Sequence, residues 1–297
     1  MNGFILGIIS ALFFSITFIL NEYISSTQGN FLWTASLRYF FMLPILFLIL
    51  LSKRQIKEVL QCIKEAPLKW IIWSTVGFGL FYVPLCFAAN YGQGWLVAST
   101  WQITIITGAL MTPFISKEKV PMTFLKLSTI ILLGIAIIQF ENFKAISFKD
   151  GLYGIIPVLI AAFAYPLGNR KMMLIVKNRL TSTQRVFGMT LCSLPFWFIV
   201  SLVGFHTSGA PSTNQVLSSV LVAIFSGVIA TTIFFKATDI VKHNPHKLAI
   251  VEATQATEII FTILGGAILG SNLPSSFSII GIGIIILGIV LSNIKSA

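Results

Sequence analysis

Apolar stretches long enough to cross a bilayer recur along almost the whole chain, with short polar breaks between them. A membrane-spanning helix needs about 20 apolar residues, because the hydrocarbon core is about 30 Å thick. The sequence predicts about ten such spans, near residues 3–21, 31–51, 70–90, 95–115, 123–140, 151–169, 183–203, 215–236, 247–269 and 275–293. We therefore expect an all-α integral membrane protein whose first apolar run is a span and not a removed signal.

The positions of the charges predict an orientation. Of the 297 residues, 10% are charged and 56% are hydrophobic, whereas a soluble domain has about 25% charged residues. The net charge of +11 lies mainly in loops on one side, so it indicates topology and not nucleic-acid binding. The positive-inside rule places these loops and both termini in the cytoplasm. The basic loop residues are Lys53, Arg54, Lys57, Lys64, Lys69, Lys117, Lys119, Lys126, Arg170, Lys171, Lys177, Arg179, Arg185, Lys236, Lys242, Lys247 and Lys295.

Matching residues at constant offsets indicate an internal duplication. The second and seventh spans share four residues, which are Thr34, Arg38, Phe40 and Met42 in one and Thr181, Arg185, Phe187 and Met189 in the other. A slightly longer offset relates Val97, Thr100 and Thr104 to Val251, Thr254 and Glu258. Since a unit of five spans is odd, the second unit enters the membrane from the opposite side. We predict two inverted five-helix repeats, residues 1–146 and 147–297, with a substrate site near the midplane between them.

The ninth span, LAIVEATQATEIIFTILGG, carries two carboxylates inside an apolar run. On a helix one face of this segment spans an arc of about 120° and carries Glu252, Gln255, Glu258, Thr262 and Gly266. An ionisable side chain near the bilayer centre costs about 3 kcal/mol, so it normally faces a partner or a wet cavity. We predict that this stripe lines a transport pathway, with Glu258 and Glu252 as candidates for a proton and substrate switch. In the alternative interpretation both carboxylates are structural and hold helices together.

The fourth span presents Thr100 and Thr104 on one face, with Trp101 beside it. Thr104 takes the repeat position of Glu258, and this charge asymmetry suits a cationic substrate. Threonines inside helices also bond their own backbone, so a structural role stays open. The face of the Trp101 ring could bind a cationic substrate. In the alternative interpretation, Trp101 anchors its helix at the membrane interface.

Other spans offer further candidates for substrate binding, namely Phe14 and Asn21 in the first, Tyr82 in the third and Tyr165 in the sixth. Packing explains these tyrosines equally well. Glu22 at the outer end of the first span and Arg38 in the second are candidates for structural or gating roles. We place Arg38 near the outer end of its span, where its side chain can snorkel to the surface.

Motifs of enzymes are not found. The sequence has no GxxxxGK[ST] phosphate loop, no GxSxG and no HExxH, so we expect no catalysis and no direct use of ATP. The three cysteines and three histidines show no metal-ligand spacing, and we predict neither a metal nor a cofactor.

The ten-span pattern, together with ASLRYFFMLP in the second span and VEATQATEIIFTILGG in the ninth, resembles the drug/metabolite transporter superfamily in its ten-helix EamA-like branch. Within that branch the likeness is strongest to multidrug resistance efflux transporters, and it covers essentially the whole chain. The resemblance implies a central cavity between the two halves, in or near which lie Glu258, Gln255, Thr104, Trp101 and Tyr82. The small four-helix relatives carry a glutamate in the middle of their first helix, where this chain has Ser10, Ser15 and Thr17.

We therefore expect a multi-pass protein of a bacterial cytoplasmic membrane that exports small amphipathic, cationic compounds by alternating access in exchange for protons. Glu258 would bind the proton and the substrate in turn, and Gln255 would orient the Glu258 side chain. The protein would lie in the lipid bilayer as a monomer or homodimer. One alternative is a facilitator or exporter of neutral or zwitterionic metabolites, such as amino acids or nucleobases, without proton coupling. Another is a membrane sensor or binding protein without turnover.

Overall fold

The computed structural model describes residues 2–116 and 122–294, and this part of the chain is helical with no strands. The all-α fold class is confirmed. The helices are α1 (Gly3–Ser26), α2 (Phe31–Ser52), α3 (Ile56–Glu65), α4 (Pro67–Ala88), α5 (Gly94–Trp101), α6 (Ile103–Leu110), α7 (Thr112–Ser116), α8 (Met122–Ala145), α9 (Phe148–Val176), α10 (Ser182–Ser208), α11 (Thr213–Val241), α12 (His246–Ile268) and α13 (Ser276–Ile294).

Among the described residues, 8 helices are long and apolar enough to cross a membrane. They are α1, α2, α4, the part of α8 from Leu125 to Lys144, α9, α10, α11 and α12. The predicted fourth span is divided into α5, α6 and α7, and the apolar part of α13 is the shorter segment Ser276–Leu291. The chain is therefore a multi-pass membrane protein, while the count of ten spans stays a prediction.

Two arginines that we expected in cytoplasmic loops are buried inside helices. Helix α9 continues to Val176, and it buries Arg170 inside the bundle. Arg185 is likewise buried in α10. Their placement in cytoplasmic loops was therefore wrong, because each forms an ion pair with an acidic residue of another helix, which makes burial tolerable. Lys117, Lys119 and Lys295 lie outside the described residues.

Side chains in the polar breaks fix where several helices begin. The Oδ1 atom of Asn30 accepts a hydrogen bond from the backbone N–H of Leu32 at 2.8 Å, at the start of α2. Thr181 and Gln184 form a reciprocal capping box at the start of α10. These caps satisfy backbone donors that the first helical turn leaves unpaired.

Four of the predicted spans are irregular, and the irregularities occur in related pairs. The third and eighth contain π-helical turns, at Thr75–Gly79 in α4 and Ala223–Ala230 in α11. In the fourth, the helix is interrupted at Gln102, and in the ninth α12 contains a 3₁₀ turn at Thr254–Ala256. The offset that relates Val97 to Val251 also relates Gln102 to Ala256. This correspondence supports the duplication of residues 1–146 in 147–297, which stays a prediction.

Helices α4 and α9 approach each other closely at two glycines. A Cβ atom added to Gly168 would lie 2.2 Å from the Cα atom of Gly77 and 2.5 Å from its backbone nitrogen. Just beyond this contact the Phe81 and Tyr165 rings meet, with centroids 4.7 Å apart. The glycine contact therefore sets the spacing of the two helices where they bring aromatic rings together.

We predict that Gly168→Ala destabilises the protein by about 1–3 kcal/mol, because the added methyl group overpacks a backbone contact that has no flexible side chain to move. The midpoint of thermal unfolding in detergent should fall accordingly. Gly283→Ala is the matched control, since no atom lies within 4 Å of the Cβ position there. Equal midpoints for the two variants would contradict the prediction.

Candidate functional site

A small buried cavity lies inside the helical bundle, where α1, α4, α5, α6, α9, α11 and α12 meet. Its volume is about 30 Å³, which is room for one or two water molecules. Its wall consists of Phe14, Thr17, Phe18, Phe81, Leu85, Trp101, Thr104, Tyr165, Pro166, Asn169, Phe234, Glu252, Gln255 and Glu258. We call it the central cavity. In this conformation it is too small for a drug-sized ligand, whose pocket needs several hundred Å³.

The central cavity brings together most of the predicted site residues. Those on its wall are Glu258, Glu252, Gln255, Trp101, Thr104, Phe14 and Tyr165. Those that do not line it are Thr100, Tyr82, Asn21, Arg38 and Glu22. The helical periodicity of α12 thus placed three polar residues on one wall, as the spacing of the stripe predicts.

Glu258 is buried on this wall with one carboxylate oxygen unpartnered in the described chain. It is 1% exposed, and its Oε2 atom has no hydrogen-bond partner among the described residues. The hydroxyl groups of Tyr165, across the cavity wall, and Thr262, one turn further along α12, also have no partner there. An isolated carboxylate is expensive to bury, so this group needs a proton, a cation or water as its partner.

Aromatic rings form much of the remaining wall. The Phe81 ring packs against the rings of Tyr165 and Trp101, with centroid distances of 4.7 and 5.2 Å. The ring of Tyr165 also stacks on that of Phe234, with centroids 6.0 Å apart. Ring faces attract cations, so this wall suits a cation beside the carboxyl group.

Glu252 differs from Glu258 because it is fully paired. The Nη2 and Nε atoms of Arg170 donate to its two carboxylate oxygens at 2.7 and 3.2 Å. The third nitrogen, Nη1, donates to the Oγ1 atom of Thr112 at 3.2 Å. In this conformation the interpretation of a structural, paired carboxylate describes Glu252 and does not describe Glu258.

Gln255 and Thr104 bond to neighbouring helices instead of to Glu258. The Nε2 atom of Gln255 donates to the carbonyl oxygen of Gly7 at 3.3 Å and to the hydroxyl of Ser10 at 3.2 Å, which attaches α12 to α1. The hydroxyl of Thr104 donates to the carbonyl oxygen of Ala162 in α9 at 3.2 Å. Both residues therefore hold cavity helices together in the closed conformation.

Thr100 lies behind the cavity wall and connects α5 to α8. Its hydroxyl donates to the carbonyl oxygen of Leu96 at 2.9 Å and accepts a hydrogen bond from the Nε2 atom of Gln139. The bond to its own helix is the structural use that sequence reasoning left open for this threonine.

Arg38 is buried between aromatic rings and does not snorkel as expected. It is 2% exposed, and its guanidinium carbon lies 4.3 Å from the centre of the Tyr82 ring. Its Nη1 atom donates to the hydroxyl of Thr17 at 3.1 Å, and Thr17 lines the central cavity. The described residues supply no ion pair for Arg38, and its Nε atom has no hydrogen-bond partner there. Tyr82 in turn donates to Asn21 at 3.2 Å.

Glu22 attaches the end of α1 to the start of α5. Its Oε2 atom accepts a hydrogen bond from the backbone N–H of Gly94 at 2.8 Å. A carboxylate at a helix N-terminus is favoured by the partial positive charge there. Glu22 also lines a wider cavity of about 480 Å³ with Glu141 and Trp95, which we call the acidic vestibule.

Sequence reasoning missed Arg170, Asn169 and three of the four phenylalanines of the cavity wall, while it named the fourth, Phe14. The dipeptide Arg170-Lys171 has the composition of a loop, which hid the partner of Glu252. A usable signal existed, because both Arg170 and Glu252 fall near the predicted cytoplasmic ends of their spans. The phenylalanines Phe18, Phe81 and Phe234 carry no such signal, because phenylalanine occurs 26 times in the chain. Within the described residues no group of three or more His, Cys, Asp or Glu is placed to hold a metal ion.

Comparisons with known proteins agree with this architecture. Residues 1–297 match the family model described as "EmrE: Putative multidrug resistance efflux transporter". The chain is 46% identical over 309 residues to the "Uncharacterized protein YjlA" of Bacillus subtilis (strain 168), covering 100% of this chain and 95% of that protein. It is 39% identical over 267 residues to the "Uncharacterized 42.1 kDa protein in intracellular alkaline protease 3'region" of Shouchella clausii, covering 87% and 70% of the two chains.

A protein of known crystal structure superimposes with a TM-score of 0.70 at 14% sequence identity, covering 99% of this chain and 97% of the other. At this identity the superposition shows the shared fold alone. The family match over the whole length carries the assignment. The chain therefore belongs to the EmrE-like family of multidrug resistance efflux transporters, within the drug/metabolite transporter superfamily.

Proposed function

We propose that the protein exports small amphipathic cations in exchange for protons, and that Glu258 binds the proton and the substrate in turn. The observation that carries the proposal is the position of Glu258, which is buried on the wall of the central cavity with an unpartnered carboxylate oxygen. The aromatic rings of Phe81, Trp101 and Tyr165 stand on the same wall and suit a flat cation with apolar substituents.

Competition for one carboxyl group produces exchange. A bound cation favours the ionised carboxylate, while an apolar wall without a cation favours the protonated form. A proton and a cation therefore exclude each other at Glu258. Cation binding releases the proton, and protonation from the other side of the membrane releases the cation.

The closed central cavity requires the helices to move during transport. Its volume of about 30 Å³ contrasts with about 480 Å³ in the acidic vestibule. The π-helical turns of α4 and α11, the interruption at Gln102 and the 3₁₀ turn at Thr254–Ala256 occur in helices that form the cavity. Irregular turns are places where helices bend, which supports alternating access between two inverted repeats.

The same proposal includes an orientation and an assembly state. Basic residues are concentrated in the loops at the end of the bundle that also carries the termini, so both termini face the cytoplasm of a bacterium. A single chain encloses the central cavity, so a monomer suffices, and a homodimer is compatible with it.

The variant Glu258→Gln keeps the size of the side chain and removes its ability to bind and release a proton. Flux of a lipophilic cation into proteoliposomes, driven by an imposed pH gradient, should fall by at least about tenfold. The reason is that the carboxamide can neither take up and release a proton nor carry the negative charge that binds the cation. Glu65→Gln is the control, since Glu65 forms an exposed ion pair with Arg179 and neither residue lines the central cavity. Flux of Glu258→Gln at the wild-type rate, in protein with a wild-type unfolding midpoint, would show the mechanism to be wrong.

A second candidate function is transport of zwitterionic metabolites. One observation favours it, namely the buried guanidinium of Arg38, which has no acidic partner among the described residues and donates to Thr17 of the cavity wall. A substrate with both an amine and a carboxylate would complement Glu258 and Arg38 together.

Tryptamine and tryptophan separate the two candidates, because they differ only by the carboxylate. The leading proposal predicts that tryptamine flux follows the pH gradient and that tryptophan is not carried. Tryptophan flux that ignores the gradient and is abolished in Arg38→Gln would favour the second candidate. The measurement is uptake of each radiolabelled compound into the same proteoliposomes, with and without the gradient.

A further inference from the structure

We infer that the ion pair between Arg170 and Glu252 is the gate that closes the central cavity toward the basic end of the bundle. The inference rests on the proposed function in one respect, since it takes the central cavity to be part of the transport path. It assigns to Glu252 a role different from that of Glu258, because the two carboxylates have different partners.

The pair lies between two cavities. Glu252 is part of the wall of the central cavity. Arg170 and Thr112 line a second cavity of about 240 Å³, which also contains Lys177, Lys242 and His243 and which we call the basic vestibule. One partner of the pair thus faces each cavity, and their contact is a partition between them.

The partition is tightly built from several helices. Arg170 of α9 binds Glu252 of α12 through two hydrogen bonds and Thr112 of α7 through a third. Gly108 of α6 packs directly on the pair, because a Cβ atom added there would lie 2.6 Å from the Oε2 atom of Glu252 and 3.3 Å from the Nη2 atom of Arg170. There is no space for a side chain at Gly108, so the pair closes the passage at this level.

An ion pair suits a gate because the strength of its attraction depends on whether water surrounds it. Attraction between two charges is strong in a dry interior and weak in water, so the contact holds while the side chains are buried and releases once water reaches them. In this conformation the side chain of Arg170 is 6% exposed and that of Glu252 is 9% exposed. An apolar contact of the same size would stabilise the closed state at least as well. The charged contact adds sensitivity to water entering from the basic vestibule.

The hinge for such a movement adjoins the pair. Glu252 is two residues before the 3₁₀ turn at Thr254–Ala256 in α12. Bending at that turn would move Glu252 relative to Glu258, which lies in the helical segment that follows. Opening of the gate and exposure of Glu258 are therefore mechanically connected through one irregular turn.

Two other ion pairs of the described chain differ from this one in position. The pair of Arg179 and Glu65 is exposed, at 47% and 45%, and lines neither the central cavity nor the basic vestibule. Arg185 and Asp239 connect α10 to α11 and are likewise absent from both walls. The first of these is a matched control, because it has the same chemistry outside the passage.

The test measures access to the central cavity with a cysteine at Thr104, introduced as Thr104→Cys after the natural thiols are removed by Cys62→Ser, Cys86→Ala and Cys192→Ala. A membrane-impermeant maleimide is added to each side of sealed vesicles, without substrate and without a pH gradient. A separate Lys57→Cys variant, on the exposed surface of α3, identifies the side of the basic end. With the gate intact, modification of the cysteine at position 104 from that side should be slow.

Arg170→Gln should raise the modification rate from the basic side by at least about tenfold, because breaking a buried charge pair shifts an equilibrium by more than one decade. The rate from the opposite side should not change, and Arg179→Gln should change neither rate. Exchanging the charges, in the double variant Arg170→Glu with Glu252→Arg, should restore slow modification. Unchanged rates in Arg170→Gln, or equal increases from both sides, would overturn the inference.

Gly108→Ala keeps the test decisive if the charge variants fail to fold. The added methyl group separates the pair without altering any charge, so the gate should again open toward the basic side alone. A rate like that of the wild type in folded Gly108→Ala would contradict the gate. Failure of the proposed function would give a different result. The wild type would then show no pH-driven cation flux, while the labelling rates would still follow the pattern expected for the gate.

Discussion

The need to pair charges inside a membrane governs this structure. The charged side chains buried in the described residues are Arg38, Arg170, Arg185, Glu252 and Glu258. Arg170 and Arg185 bind acidic residues of neighbouring helices, which joins α9 to α12 and α10 to α11. Glu258 and Arg38 have no ionic partner in the described chain. The paired groups hold the bundle together, and the unpaired ones are the groups to which we assign substrate binding in our proposals.

The closed conformation follows from close contacts around the central cavity. Gly77 and Gly168 let α4 and α9 touch backbone to backbone, and Gly108 lets α6 rest on an ion pair. Gln255 attaches α12 to α1, while Thr104 attaches α6 to α9. These contacts are polar or involve glycine, and they join the helices that would have to move apart in the proposed alternating-access cycle.

Much of the architecture could be predicted from the sequence, because apolar length and charge position are local properties. The stripe of Glu252, Gln255 and Glu258 was found in the same way, since helical periodicity alone places these residues on one wall. The pairing of Glu252 was not predicted, because its partner Arg170 lies in a distant segment beside Lys171 and resembles a loop residue. Only the position of both residues near the cytoplasmic ends of their predicted spans pointed to it. The interruption of the helix at Gln102 could not be predicted either, because no proline or glycine lies at that position. Which hydrogen bond Gln255 makes depends on tertiary contacts that no local pattern contains.

The asymmetry between Thr104 and Glu258 has a consequence for energetics. In the predicted pair of repeats, an acid at both related positions would place two titrating groups in the cavity, whereas this chain has a threonine at position 104. With Glu252 held by Arg170, one carboxyl group remains to exchange its partner. Under the exchange that we propose at Glu258, a single proton would leave for each monovalent cation that binds, and the cycle would be electroneutral. Export of such a cation would draw on the pH difference across the membrane and be indifferent to the electrical potential, whereas a divalent cation would feel both.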